Sequence, residues 1–311
     1  MVAFCEPQKQ RHYFAAFPAA ALNNETLFYL MTVSRLLPDA GRFLALLALQ
    51  PAMLVRIAAT QGSAPREADA WMAVFANSVV GTIGGGHLEY RAIAEARAGL
   101  AEFARSGRPG AAPVRVRFAL GPSLGQCCGG VVQLDFEPVS ASDAPALGRA
   151  LYARLTPLAL FGAGHVGQAL VQALAPLPFA LTWIDSRDGI FPHPLPAHAA
   201  CEQSEPLQSA VPGLVPGSRV LVMSFSHVED FEVVAGCLAR QRERADLHYI
   251  GLIGSRTKWV AFGRRLQARG FTPAELNQVT CPIGIAGIAG KQPAVIAAAV
   301  AAQLLQTVER Q

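Results

Sequence analysis

Phe161-Gly162-Ala163-Gly164-His165-Val166-Gly167 is the stretch that decides the fold of this chain. A short apolar strand, Leu158 to Phe161, leads into it, and a helical run, Val166 to Leu174, leads out. In that setting each glycine has its own use. Gly162 allows a tight turn, Gly164 lets backbone approach a phosphate, and Gly167 lets helix pack on strand. The helix start at His165 offers free amides to an anion. Asp185 closes the next apolar strand, Leu181 to Ile184, about 20 residues on, where a carboxylate accepts from a ribose or another hydroxyl. The string by itself is weak, and its bland reading is a strand-to-helix turn that merely needs glycine. The flanking pattern favours a Rossmann-type turn, although such a fold does not prove that a dinucleotide binds.

Strands and helices continue to alternate downstream. Arg219 to Met223 and Tyr249 to Leu252 read as strands, Phe231 to Arg240 and Thr257 to Arg269 as helices, and an alanine-rich helix follows Pro293. A proline-rich loop runs from Phe191 to Pro196. This order predicts a parallel sheet with right-handed crossovers and ligand sites at the strand C-terminal ends. Three segments fall at such ends. Ser224-Phe225-Ser226-His227, with Asp230, offers His227 as a base or hydrogen-bond donor, or as a helix cap. Gly254-Ser255-Arg256-Thr257-Lys258 reads as a second anion cradle, or as a plain solvated helix start. Cys281-Pro282-Ile283-Gly284 precedes another turn.

Upstream the pattern changes. Leu36 to Leu49 reads as a largely buried helix, Met53 to Ala58 as a strand, and Trp71 to Phe75 with Val79 to Thr82 as a hairpin turning at Asn77-Ser78. Gly84-Gly85-Gly86 opens a helix from His87 to about Arg105, and strands Val114 to Leu120 and Val131 to Phe136 flank a glycine-rich loop holding Cys127-Cys128. Ser140 to Pro145 has linker composition. The expected protein is α/β: a C-terminal Rossmann-like parallel-sheet domain, residues 155–306, with a smaller N-terminal α+β domain, residues 31–140. Residues 1–30 show no periodic pattern and are expected to be a mobile extension.

Composition excludes several classes. The 311 residues are 52% hydrophobic and 15% charged, as suits a compact α/β protein rather than a disordered one. The net charge of +4 is spread out, with no arginine-aromatic strip to follow a nucleic-acid backbone. No uninterrupted apolar run reaches the roughly 18 residues of a membrane span. The six cysteines form no paired framework, and no C-x-x-C string or H-E-x-x-H motif supports zinc. A reducing, cytoplasmic setting is expected, and the high apolar content suggests a homodimer. Cys127 and Cys128 stand apart: Gly125, Gly129 and Gly130 let amides converge on a sulfur and favour the thiolate, which suits a soft metal or sulfur transfer.

The strings Gly62-Ser63-Ala64-Pro65-Arg66, Gly81-Thr82-Ile83-Gly84-Gly85-Gly86, Gly125-Gln126-Cys127-Cys128-Gly129-Gly130, the Gly162 turn, Gly251-Leu252-Ile253-Gly254-Ser255 and Cys281-Pro282-Ile283-Gly284 together resemble the xanthine dehydrogenase accessory protein family, XdhC, related to the CoxI family. They occur in that family's order from about Leu36 to Leu305. The chain departs from it at Met223 to His227, where the family more often has a threonine-histidine pair before Ser-His.

The resemblance implies a maturation factor without turnover of its own. It would bind the molybdenum cofactor, hold it while a cysteine desulfurase supplies the terminal sulfido ligand, and pass it to apo xanthine dehydrogenase. A molybdopterin phosphate suits Gly162, Gly164, His165 and Gly167, or Gly254, Ser255 and Lys258, and its pterin suits Asp185 and His227. Gln126, Cys127 and Cys128 are the implied contacts near molybdenum, with Cys281 behind them. Two other readings stay open: an NAD(P)-dependent oxidoreductase in which His227 or Lys258 handles the proton and Arg187 accepts a 2′-phosphate, and a regulatory nucleotide-sensing module.

Overall fold

A computed structural model describes residues 38–106, 112–120, 129–196 and 198–308. Residues 1–30 and the Gln126-Cys127-Cys128 segment lie outside the described residues.

The first unit is built on an antiparallel sheet. Its strands β1 (Ala52–Gln61), β2 (Trp71–Val74), β3 (Val79–Gly81), β4 (Val114–Ala119) and β5 (Val131–Val139) run in the order β3-β2-β1-β5-β4. Helix α1 (Pro38–Leu47) covers one face and α2 (Gly86–Ser106) the other. Strand β1 is apolar almost throughout because both of its faces are buried. Met53, Val55 and Ile57 join Leu88, Ala92 and Ala96 of α2, while Ala52 and Leu54 join Phe43, Leu44 and Leu47 of α1. The expected linker at Ser140 to Pro145 is instead a short 3-10 turn leading into helix α3 (Ala144–Ala153). Leu147 and Leu151 of α3 pack against the α1 face. The local composition is turn-like, but Pro145 sits in the first turn of α3, where a missing N–H costs nothing.

The second unit is a six-stranded sheet, parallel throughout. Strands β6 (Thr156–Phe161), β7 (Phe179–Asp185), β8 (Ala199–Gln203), β9 (Arg219–Val222), β10 (Tyr249–Leu252) and β11 (Val279–Thr280) lie in the order β11-β10-β9-β6-β7-β8. This is the doubly wound dinucleotide-fold order, whose chain direction reverses beside the first strand, here between β6 and β9. Helices α4 (His165–Leu174) and α8 (Pro293–Leu305) pack through Leu170, Val171, Val300 and Leu304 onto Leu158, Leu160 and Trp183. On the other face, α5 (His227–Arg244) and α6 (Arg256–Ala268) bury Phe231, Leu238, Phe262 and Leu266 against Phe161, Val222 and Leu252. Each such fully buried large side chain contributes roughly 1.5–3 kcal/mol by leaving water.

Besides α3, two strands and one short helix have no counterpart in the sequence pattern. The β8 sequence Ala-Ala-Cys-Glu-Gln has little strand propensity, and pairing with β7 imposes its conformation. The four-residue helix α7 (Pro273–Leu276) and the two-residue β11 are too short to leave a periodic signal. No helix among the described residues is long and apolar enough to cross a membrane.

Candidate functional site

The Gly162 turn sits at the C-terminal end of β6, flanked by the ends of β7 and β9. Gly162 has φ +118, and a Cβ there would lie 2.2 Å from the Met223 carbonyl oxygen. A Cβ on Gly167 would lie 2.2 Å from the Gly162 carbonyl oxygen. Both glycines are therefore demanded by packing. Trp183 Nε1 donates to the Gly162 carbonyl at 2.9 Å and fixes the turn from below. Gly164 is different. It has an ordinary φ of −72, caps α4, and a Cβ built there would meet no atom within 4 Å. Nothing in the chain requires glycine at this position, so the open space in front of it, at a helix N-terminus, is what a close-lying anion would fill. His165 is exposed at the first position of α4.

Asp185 does not face this space as a free acceptor. Only 1% exposed, it accepts from the Ala163 amide at 2.6 Å, from the Arg187 amide at 3.0 Å, and from Arg187 Nε and Nη2, each at 2.9 Å. Burial alone would push this carboxyl up, but the bonds from Arg187 and Ala163 outweigh it and hold it below its ordinary range. The expectation of a hydroxyl acceptor is corrected: the carboxylate braces the turn. Arg187 is likewise not a free seat for a 2′-phosphate, because it is held by Asp185 and lies 4.6 Å over the ring of Phe225. Phe225 is 61% exposed in the loop that follows β9.

His227 is the first residue of α5 and is exposed, but it is not the cap: Ser226 caps the helix by accepting from the Val228 amide at 3.2 Å. The expected anion cradle at Gly254 to Lys258 is reorganised as well. Lys258 folds back beneath its own helix, Nζ donating to Asp230 Oδ2 at 2.6 Å and to the Ile253 carbonyl at 3.0 Å. A Cβ on Gly254 would stand 2.6 Å from Lys258 Cδ, so this glycine makes room for the lysine rather than for a phosphate. Ser255 is engaged in capping α6 through the Lys258 amide. Asp230, 1% exposed, also accepts from the Ser224 amide at 2.8 Å and ties the β9 loop to the β10 loop.

Cys281 lies against the same knot, Sγ 3.9 Å from the Gly254 carbonyl. Burial pushes its thiol up while Lys258 pulls it down, which makes a protonated thiol rather than a ready thiolate. Cys237 is fully buried and pushed up to about 12, as an inert core residue. Gln126, Cys127 and Cys128 lie outside the described residues, but the base of their loop is described: the Leu120 amide donates to the Gly130 carbonyl at 2.7 Å. Gly130 presses on Gln61 and Ser63, where a Cβ would lie 2.3 Å from the Ser63 carbonyl. Gly84 in turn has Pro65 at its back, 2.6 Å from a built Cβ. The Gly62 and Gly84 strings and the described end of the third, Gly129-Gly130, are thus brought together at one end of the sheet. No group of three or more metal-ligating side chains occurs among the described residues.

Sequence reasoning missed Ser186 and Glu229, and named Phe225 only within the Ser224-to-His227 segment. Ser226-His227-Val228-Glu229 has capping-box spacing, in which the glutamate reaches back to the cap amide. Here the Ser226 amide donates to Ser224 Oγ at 3.2 Å, and Glu229 Oε1 instead accepts from Ser186 Oγ at 2.6 Å.

Fold and site define a two-domain protein whose second domain carries a Rossmann crevice with open space before Gly164 at the N-terminus of α4. Family models agree: one for the XdhC Rossmann domain matches residues 158–304, and one for the XdhC and CoxI family matches residues 45–112. The chain belongs to the XdhC and CoxI family. Protein YqeB of Escherichia coli strain K12, described as uncharacterised, is 27% identical over 263 residues, which cover 82% of this chain and 43% of YqeB. The chain thus spans less than half the length of that relative. A crystal structure from Bacillus halodurans described as a xanthine dehydrogenase shares the fold, with a TM-score of 0.67 at 20% identity over 85% of this chain and 95% of that one.

Proposed function

We propose that this chain is an accessory factor that binds the molybdenum cofactor, protects it, supports its sulfuration by a cysteine desulfurase, and delivers it to apo xanthine dehydrogenase. The observation that carries the reading is Gly164: an open cradle at a helix N-terminus, in a family associated with xanthine dehydrogenase, without another reason for glycine. The residues fit the group. The α4 start and Gly164 would hold the phosphate, the crevice between the β7 and β9 loops would hold the pterin, and Cys127 or Cys128 would provide a soft contact near molybdenum. The bound cofactor would supply the redox chemistry of the recipient enzyme, while this chain binds, orients and shields it.

An NAD(P)-dependent oxidoreductase is the second reading, favoured by the complete glycine fingerprint. The engagement of Asp185 and Arg187 with each other weighs against it, since a dinucleotide's ribose needs the carboxylate that Arg187 already holds. The test is to titrate the purified full chain separately with molybdenum cofactor and with NADH and NADPH, then repeat with Cys127→Ala and Cys128→Ala. Cofactor binding weakened by at least one substitution supports the full reading. Tight NAD(P)H binding without cofactor binding sinks it. Undiminished cofactor binding by both variants removes the cysteines from it.

A further inference from the structure

Glu229 Oε2 is buried and has no hydrogen-bond partner. Its other oxygen accepts from Ser186 Oγ across the crevice, so the side chain is diverted from the capping role its sequence position offers. A buried carboxylate oxygen left without a donor carries an uncompensated desolvation penalty and calls for an explanation. Three features lie on the two loops that follow β7 and β9, beside it in the chain's crevice or linked to it through Arg187. Ser186 directly follows the brace Asp185. The Arg187 guanidinium is near enough for the Glu229 charge to help keep it protonated. Phe225, stacked under Arg187 at 4.6 Å, leaves most of its surface to solvent. An acceptor pair beside an exposed aromatic ring, between two loops at the reversal point of a parallel sheet, is how proteins hold a flat heterocycle: stacking on the ring, and hydrogen bonds to its edge.

We infer that Glu229 reads the donor edge of a 2-amino-4-oxopyrimidine ring packed against Phe225. Such an edge presents an N–H and an amino group side by side, the complement of a carboxylate. Pterins and guanine share it; adenine and hypoxanthine lack its paired donors. The inference rests on the proposed function, deepens it by assigning the residue that selects the ring, and covers both a plain pterin and a guanine-dinucleotide form of the cofactor. In the free chain the oxygen is shielded from water, and the ring reaches it only by displacing the groups that cover it.

The test titrates the full chain with pterin-6-carboxylate, GMP, IMP and AMP in a calorimeter. Pterin-6-carboxylate and GMP are expected to bind, with IMP and AMP about tenfold or more weaker, the loss expected for a charge-assisted hydrogen bond. Glu229→Gln is expected to weaken pterin-6-carboxylate and GMP by the same factor while melting as a folded protein. Equal binding of GMP and IMP overturns the inference, and this comparison needs no variant. So does a folded Glu229→Gln with unchanged affinities, or failure of both pterin-6-carboxylate and GMP to bind. If Glu229→Gln does not fold, Phe225→Ala replaces it, with the same loss expected and unchanged binding overturning the inference. Molybdenum cofactor held equally by wild type and Glu229→Gln would leave the proposed function standing and remove this inference. Glu229-dependent binding of GMP and pterin-6-carboxylate without cofactor binding would do the reverse.

Discussion

The two glycine-rich loops that open helices, Gly84-Gly85-Gly86 before α2 and Gly162 to Gly167 before α4, look alike in sequence and are alike in one structural respect: a carboxylate of the chain takes up their amides. In the first, Glu89 Oε2 accepts from the Ile83 and Gly85 amides, each at 3.0 Å, and from the Thr82 hydroxyl. In the second, Asp185 accepts from Ala163. The difference lies in what remains. Gly84, Gly85 and Gly86 all have positive φ, between +66 and +117, so backbone conformation alone accounts for each. Gly164 has no such need and faces open space. A glycine cluster therefore marks a ligand cradle only where neither φ nor packing explains the missing side chain.

The largest effect is expected at Gly162→Ala, which adds a Cβ 2.2 Å from backbone at a φ of +118. Overpacking and backbone strain together should cost about 3 kcal/mol or more, read as a lower midpoint in urea with any bound cofactor absent. Asp185→Asn should follow at roughly 2 kcal/mol, because it leaves Arg187 without its partner and weakens the bond to Ala163. Its pH dependence has a definite sign. The folded-state pKa of Asp185 is below the unfolded one, so its contribution is complete above the ordinary carboxylate pKa of about 3.9 and is lost as the pH falls further. Urea midpoints of wild type and Asp185→Asn should converge as the pH is lowered through that region, and a gap that widens would contradict the assignment. Glu89→Gln should cost less, about 1 kcal/mol, since Glu89 is only half-buried and Gln retains an acceptor oxygen. A cost equal to that of Asp185→Asn would erase the contrast between a surface brace and a buried one.

The parallel pairing of the second sheet, the Gly162 turn and the paired roles of Gly162 and Gly167 were legible in the sequence, because they depend on local pattern: apolar strand, glycine spacing, helix. The sheet order was not, since β8 and β11 left no signal. The family was legible from six strings in order. What was not legible depends on which side chain meets which over many residues. Nothing local says that Lys258 folds back onto Asp230, or that Arg187 takes the Asp185 carboxylate from a prospective ligand. Glu229 was hidden for the opposite reason: its spacing from Ser226 offers a complete local explanation, and only the Ser186 contact shows that the explanation is not used. Strand β8 was missed because its neighbour β7, rather than its own residues, makes it a strand.

The smallest effect on stability and the most direct test belong to Gly164→Ser. Serine is a good helix cap and its Cβ meets no protein atom, so stability should stay within about 0.5 kcal/mol of wild type. Its side chain would stand in the cradle, and titration with molybdenum cofactor should show affinity reduced tenfold or more. A variant that melts with wild type and binds the cofactor just as tightly would contradict the assignment of the Gly164 cradle to the cofactor's phosphate.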